Sequence, residues 1–410
     1  MTFAKILLRR RTVMAAAATF LAAGAVQAQD AYPNRPIRLL VGYSAGGGVD
    51  AMARMLQPRL SALLGQQVVV ENRAGAAGLI AGDAVAKAAP DGYTLLLGES
   101  GLLIAQHLQP KMSFDPVKSF TPVASVFKLP LAIVVNNNFP ARTPQEFVNE
   151  LRAHPAKHSY ATSGVGTVHH LGFEMLKGKT QSFVVHIPYR GAAQIVPDVI
   201  SGQVPIGVVS VSAAIAQAKA GKLRALALMN TGKVPGAEQI PSLSEAIPGF
   251  DAVPRLFLLA PAGTPQPIVC SVQGPAHGFG CALATACDIT IASDKARFRL
   301  PELEKNLPPT LAISAMMARV PQKALTWLVY SMQEIDAQTA LQLGIVSQVV
   351  APAELVAESD KLVTELCGKA RDALIGVKDY FRAAPGLQGR AAADLAGNML
   401  ATVFSSVPRG

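Results

Sequence analysis

The chain has 410 residues, of which 50% are hydrophobic and 16% charged, a balance that excludes intrinsic disorder and leaves room for two or three domains with large buried cores. Its formal net charge of +10 comes from scattered Lys and Arg with only 6% aromatic residues. That pattern excludes the aromatic-interleaved basic stripe of a nucleic-acid binder and suits, at most, an anionic small ligand.

At the N-terminus Lys5, Arg9, Arg10 and Arg11 precede an apolar run, Thr12 to Ala25, and Val26-Gln27-Ala28 then offers small residues to a peptidase. This is the order of a secretory signal peptide, with cleavage expected after Ala28 and the periplasm as destination. The run is too short to span a bilayer as a stable helix, and the residues around Arg9-Arg10 give little support to twin-arginine export. Residues 1–28 are therefore set apart from the fold. All four cysteines, Cys270, Cys281, Cys287 and Cys367, fall in the last third. A segment from 29 to 269 without cysteine suits an oxidising compartment, whereas the tail reads like sequence from a reducing one. No pair has metal-ligand spacing with His partners, so no metal is expected and the four thiols are expected to be buried and structural.

The first elements alternate. Pro36 to Val41 reads as a buried strand and Gly42 to Gly48 as a glycine-rich turn. Asp50 to Leu64 has helical periodicity, with Ala51, Met55, Leu56, Leu60 and Leu63 on one side. Strands follow at Gln66–Val70 and Tyr93–Leu97, with a helix at Ala76–Lys87 between them. The rhythm resumes with strand Leu131–Val135, helix Thr143–His154, strand Ser159–Ala161, a turn at Ser163–Gly166 and helix Val168–Lys177. It continues through strands at 182–188, 206–209 and 225–229, with helices at 191–202 and 212–220 between them. Alternation of this kind predicts an α/β sheet with crossover connections, here in two lobes with a ligand cleft between them. Near 262–270 a segment rich in Gly and Pro changes the texture, and helical patterns then run to the end.

Two turns stand out. Tyr43, Ser44, Ala45, Gly46, Gly47 and Asp50 lie where the first strand meets its helix. Ser163, Gly164, Gly166, Thr167 and His169 occupy the same kind of junction in the second lobe. Glycine lets backbone N–H groups approach a ligand, and a helix N-terminus adds partial positive charge, so two such turns facing one cleft predict a grip on a carboxylate. The spacing lacks the Lys of a nucleotide phosphate loop.

Four stretches carry a resemblance: Val70-Glu71-Asn72-Arg73-Ala74-Gly75-Ala76-Ala77-Gly78, Ala88-Ala89-Pro90-Asp91-Gly92-Tyr93-Thr94, His186-Ile187-Pro188-Tyr189-Arg190-Gly191 and Ala260-Pro261-Ala262-Gly263-Thr264-Pro265. Through them residues 29 to about 269 resemble the Bug family, the solute-binding receptors of tripartite tricarboxylate transporters. The resemblance implies an α/β type II periplasmic-binding fold, with lobe 1 at 29–130, lobe 2 at 131–255, and a return segment and junction at 256–269. It implies a small carboxylate ligand, membrane components of the transporter as partners, and a ligand site at the two turns with Ser100 added. Arg190 is open between ligand pairing and a structural salt bridge; Arg73 is expected in a salt bridge. At most one of His169 and His170 faces the ligand. Family members continue past the Gly-Thr-Pro segment through helices that complete lobe 1, and this chain does not.

Instead, Val272-Gln273-Gly274-Pro275-Ala276-His277-Gly278-Phe279-Gly280-Cys281-Ala282-Leu283, Cys287-Asp288-Ile289-Thr290-Ile291-Ala292, Phe298-Arg299-Leu300-Pro301-Glu302 and Ile335 to Val346 resemble the enoyl-CoA hydratase/isomerase (crotonase) superfamily over about 270–410. That implies a partial crotonase-like α/β segment with C-terminal helices. By the resemblance the backbone amide of Phe279 supplies one of two oxyanion donors, and Glu302 one of two catalytic carboxylates. The other carboxylate falls on Ala282. The half that supplies the second amide and much of the coenzyme A pocket is missing. Three readings stay open: a carboxylate receptor with an inactive tail and no cofactor, an enoyl-CoA hydratase or isomerase acting on acyl-CoA, and a fusion with neither activity.

Overall fold

The structure is a computed structural model that describes residues 32–406 apart from 110, 265, 307 and 386–389. The signal-peptide expectation for residues 1–28 lies outside the described residues. Among them no helix is long and apolar enough to cross a membrane.

The first lobe begins with β1 (Ile37–Val41), α1 (Gly48–Leu64), β2 (Val68–Asn72), α2 (Leu79–Ala86), β3 (Thr94–Glu99), α3 (Gly101–Leu108) and β4 (Phe120–Lys128). β1 pairs parallel to both β2 and β3. Runs buried on both faces are what parallel strands under helices require, and Ile37–Val41 meets this except at Arg38, which reaches out to pair with Glu71. The chain then crosses at residues 129–130 into the second lobe. There it forms β5 (Leu131–Val135), α4 (Pro144–Ala153), β6 (Ser159–Thr162), α5 (Val168–Thr180), β7 (Val185–Pro188), α6 (Ala192–Ser201), β8 (Ile206–Ser210), α7 (Val211–Lys219) and β9 (Arg224–Leu228). β10 (Arg255–Pro261) returns to the first lobe and inserts antiparallel between β3 and β4. The two sheets have matching orders, β2-β1-β3-β10-β4 and β7-β6-β8-β5-β9, each with one antiparallel strand fourth in line. Each lobe buries an apolar cluster on either face of its sheet.

The helix at 48–64 turns a different face inward than the periodicity suggests. Val49, Ala53, Met52, Leu60 and Leu64 pack on the sheet, while Met55 and Leu63 are exposed by 63% and 75%. The buried ligand turn fixes the rotation of α1 at its N-terminus, and hydrophobic count alone carries no such constraint. The predicted helix at 76–87 is broken at its start, where Ala76 and Ala77 take positive φ before α2. β4 and α3 were not among the predicted elements.

The tail continues with β11 (Val269–Val272), β12 (Pro275–His277), α8 (Phe279–Ala286), β13 (Ile289–Ser293), β14 (Arg297–Arg299), α9 (Thr310–Met316), α10 (Gln322–Ser331), β15 (Ile335–Asp336), α11 (Ala337–Gln342), β16 (Gln348–Val350), α12 (Leu355–Cys367), α13 (Arg371–Ala383) and α14 (Arg390–Ser406). Two three-stranded sheets, β11-β13-β16 and β12-β14-β15, surround a core of their own. The tail is not detached from the receptor part. Leu283 of α8 is buried in the same cluster as Leu96, Leu102, Phe120, Phe257 and Leu259 of the first lobe, and the rings of Phe279 and Phe257 meet edge to face at 5.0 Å. α13 clasps the linker from outside. Lys378 Nζ donates to the Gln266 carbonyl at 2.6 Å and pairs with Asp288 at 2.7 Å, while Arg382 donates to the Thr264 carbonyl at 3.1 Å. The seam is incompletely filled: a cavity of about 350 Å³ lies between Phe120, Phe257, Phe279, Leu283, Lys378 and Arg382.

Because Leu283 belongs to the first lobe's core, truncating it should be felt there. Leu283→Ala is expected to cost about 3 kcal/mol in urea unfolding and to speed amide hydrogen exchange at Leu96 and Leu97 of β3. Unchanged exchange in β3 would mean the tail does not support the lobe.

Candidate functional site

The turn after β1 is built by Asp50. Its buried carboxylate accepts from the Gly46 amide at 2.9 Å, from Asn72 at 2.9 Å and from Arg54 at 3.0 Å. Burial opposes ionisation, but these donors together hold its pKa below the ordinary value. Asp50 thus shapes the loop from behind, and none of its bonds points toward a ligand. Gly46 takes φ +81, a conformation that favours glycine. Ala45 and Gly46 face solvent, while Tyr43 and Gly47 are buried. Of the turn residues singled out in the sequence, Tyr43 and Gly47 thus line the interlobe gap, Ala45 and Gly46 are exposed, and the Asp50 side chain is engaged within its own lobe.

In the second lobe Thr167 caps α5, accepting from the His170 amide at 3.2 Å and donating to the Gly164 carbonyl at 2.8 Å. Gly164 and Gly166 take φ +121 and +87. His169 is buried with Nδ1 unpartnered, and burial pushes its pKa down to about 4. It is a neutral imidazole at ordinary pH, able to offer one donor or one acceptor. His170 instead lies against His186, ring centroids 4.2 Å apart, so the adjacent histidines face different surroundings.

The lobes meet at these turns. Tyr43, Gly47, Gly48, Ser163, His169 and Ser210 surround a gap with room for about one water. A wider cavity of about 290 Å³ adjoins it, lined by Gly42, Ala77, Ser163, Gly164, Tyr189 and Arg190 among others. The contact is tight. A methyl group on Gly48 would lie 2.7 Å from Ser210 Cβ, and the Ser44 amide donates across the gap to the Arg190 carbonyl at 3.4 Å. The Ser44 hydroxyl is buried without a partner.

Four helices begin at this seam: α1 after Gly47, α5 after Thr167, α6 after Gly191 and α7 after Ser210. Each helix start carries about half a positive charge, though at α5 the Val168 and His170 amides are taken by Glu99 and Thr167, and at α7 the Ala213 amide by Ser210. The sequence reading found the first two. The contributions of Gly191 and Ser210 were missed, although a glycine and a serine directly before predicted helices were the available signal.

Glu99, at the end of β3, is a second buried carboxylate beside this seam. Its Oε1 accepts from the Val168 amide of the other lobe at 3.4 Å, and Oε2 is buried without a partner. Burial pushes its pKa up to about 7, against the pull of the Tyr43 hydroxyl and the Val168 amide. The Tyr43 hydroxyl, itself driven well above its usual range by burial and by Glu99, donates to the Ala77 carbonyl at 3.4 Å. Ser100 is tied to β10: its amide donates to the Arg255 carbonyl and its hydroxyl accepts from the Arg255 amide. Arg73 pairs with Glu71 at 3.7 Å. Arg190 is exposed at the wider cavity, with no carboxylate in ion-pair range among the described residues.

In the tail Gly278 takes φ +56 immediately before α8. A methyl group there would lie 2.8 Å from the Glu302 carboxylate. Glu302 is half-buried with Oε2 unpartnered, and burial raises its pKa. The Phe279 amide opens α8, but its ring packs into the seam against Phe257, and Ala282 is buried. The expectation of four buried thiols is corrected: Cys281 and Cys287 are buried, Cys270 is half-buried, and Cys367 is exposed at the end of α12. Among the described residues no group of His, Cys, Asp and Glu is placed to hold a metal ion.

Comparison with known proteins divides the chain the same way. Residues 52–276 match the tripartite tricarboxylate transporter family receptor, and residues 256–409 match enoyl-CoA hydratase/isomerase. A UPF0065 protein of Pseudomonas sp. is 35% identical over 264 residues, covering 63% of this chain and 79% of that protein. BugT of Bordetella pertussis is 35% identical over 243 residues, covering 58% and 74%. The solved structure of Rpa4515 of R. palustris with adipate is 31% identical, with a TM-score of 0.56, covering 57% of this chain and 79% of that one. For the tail, a mitochondrial enoyl-CoA hydratase domain-containing protein 3 of Xenopus laevis is 31% identical over 119 residues, which is only 40% of that protein. With its sheet orders, its paired glycine turns and these matches, the chain belongs to the tripartite tricarboxylate transporter receptor family and carries a partial enoyl-CoA hydratase/isomerase domain behind it.

Proposed function

We propose that the chain captures a small di- or tricarboxylate between its lobes, outside the cytoplasm, and delivers it to the membrane components of a tripartite tricarboxylate-type importer. The observation that carries this reading is the meeting of four helix N-termini at one interlobe gap. Such a site neutralises an anion without a buried cation, and so without the desolvation penalty of one. Ser44, Ser163 and Thr167, with neutral His169, add directional hydrogen bonds, and Tyr43 with Gly47 forms the first-lobe wall. The structure of a relative with adipate supports a dicarboxylate as first candidate. The tail serves in this reading as a cap on the first lobe and turns over no thioester. It has one carboxylate and one oxyanion amide, and export would remove it from coenzyme A.

Closure of the lobes should be separable from their folding. Gly48→Ala places a methyl group against Ser210 and is expected to weaken adipate binding at least about tenfold by calorimetry, with an unchanged melting temperature in the unliganded protein. Undiminished affinity would move the site elsewhere, and a wild-type chain that binds none of a panel of di- and tricarboxylates would remove the receptor reading.

Glu99 gives a pH signature. Its folded-state pKa is raised to about 7, so between about 4.5 and 7 the native state holds a proton that the unfolded chain releases. Its contribution to stability is then present at low pH and lost as pH rises through 7, on the order of 3 kcal/mol in all. His169, depressed to about 4, acts with the opposite sign between about 6.5 and 4, so the comparison is made against Glu99→Gln. The variant is expected to gain on the wild type with rising pH, levelling above about 8, in urea unfolding at a series of pH values. A constant difference would show that Glu99 does not titrate there.

Incubation with crotonyl-CoA is expected to give no hydration above background. Turnover that Glu302→Gln abolishes would establish the enzyme reading in its place.

A further inference from the structure

The tail's thiols are unexplained by either a binding cleft or a thioester site. Cys270 lies in β11, the first strand past the junction, and Cys287 is the residue on which α8 ends. The backbone clamps these two places together. The amides of Asp288 and Ile289 both donate to the Ile268 carbonyl at 3.1 Å, and the Ile268 amide donates to the Asp288 carboxylate at 2.8 Å. β11 and β13 then run parallel with Cys270 opposite Thr290. The chain leaving α8 is thus pinned beside the chain entering β11, with each cysteine within two residues of the clamp. Each thiol is the leading influence on the other's ionisation, as two side chains held beside one backbone clamp would be. Cys287 also reaches the Leu283 carbonyl at 3.4 Å and the Pro122 carbonyl of β4 at 3.9 Å, so the pair sits where the tail meets the first lobe.

We propose that Cys270 and Cys287 form an intramolecular disulfide when the protein meets a small-molecule disulfide oxidant, and that this bond ties α8 to β11 at the seam.

The environment assigns the order of events. Cys287 lowers the pKa of Cys270, while Cys270 and burial raise that of Cys287. Cys270 is also the more exposed of the two. Cys270 is therefore the attacking thiolate, and it forms a mixed disulfide with glutathione as one reduced glutathione leaves. Cys287 then loses its proton and attacks Cys270 Sγ, the second reduced glutathione leaves, and the Cys270–Cys287 bond remains. Two electrons and two protons pass from the protein to one oxidised glutathione. Cys281 has no part in this: it is fully buried, and its pKa is pushed up to about 12 by burial first and then by Glu302.

The test uses the full chain, purified reduced and incubated with oxidised glutathione. It is then unfolded, alkylated with N-ethylmaleimide and digested. The expected result is alkylation of Cys281 and Cys367 only, with a linked peptide joining Cys270 to Cys287 that separates on reduction. Cys287→Ala should trap glutathione on Cys270, and reducing the wild-type bond should lower the melting temperature by about 5 °C. Alkylation of all four cysteines, glutathione left on Cys270 in the wild type, or a linked peptide pairing Cys270 with Cys281 or Cys367 would each overturn the proposal. None of these readouts depends on carboxylate binding, so the receptor reading and the disulfide can fail separately.

Discussion

The insertion of β10 between β3 and β4 is the constraint on which the rest of the molecule depends. A strand in that position needs ladder hydrogen bonds on both edges and cover on both faces. The edges come from β3 and β4. One face is covered within the lobe, by Val49, Ala53 and their neighbours. The other face, carrying Phe257 and Leu259, needs apolar cover beyond α2 and α3, and Leu283 and Phe279 of the tail supply it. Burying a Leu or Phe in this way is worth roughly 1.5–3 kcal/mol, a large share of a typical domain's margin. Because β10 also holds Ser100 through Arg255, the same strand connects the tail's packing to the edge of the ligand cleft.

The interlobe gap is lined mainly by groups that carry no full charge. His169 is neutral by burial, Tyr43 is held protonated, and Asp50 spends its charge on Arg54, Asn72 and the Gly46 amide. What remains facing the gap is a set of oriented backbone dipoles and hydroxyls. A lining of this kind costs little to desolvate. Glu99 is the exception, a carboxylate that burial keeps near neutrality. Its location where Val168 of the other lobe donates to it makes it sensitive to whether the lobes are together.

Much of this was readable in the sequence, for physical reasons that can be named. Apolar runs between glycine turns identify β1, β3 and β5 because parallel or central strands bury both faces. The glycine turns declare themselves because only a few residue types tolerate positive φ. β4 was not readable: Phe120 to Lys128 alternates weakly and contains Pro122, and it is a strand only because β10 offers it a partner. The inward face of α1 escaped for a related reason, since Met55 and Leu63 have the hydrophobicity of core residues and the sheet leaves them outside. Within the site, residue type and order located the two loops, whereas the direction of each side chain depended on tertiary bonds. Asp50 and Ser100 are polar residues beside the glycine turns, and residue type alone does not show that Arg54, Asn72 and Arg255 bond to them.

The tail shows that packing and catalysis place different demands on a fold. Packing needs volume and apolar pattern, and these survive repositioning: α8 presents Leu283 and Phe279 to whatever sheet covers them. Oxyanion stabilisation needs two amides converging on one point with sub-ångström accuracy, and general acid–base hydration needs two carboxylates on either side of it. In this chain Gly278 still leaves room for Glu302, so the local turn is intact. The Phe279 side chain is committed to Phe257 of the first lobe, and Ala282 offers no second carboxylate. The helix α8 is thus also a wall of the first lobe's core. The cover it gives β10 comes from the same side chains, Leu283 and Phe279, that flank the glycine turn at the start of α8.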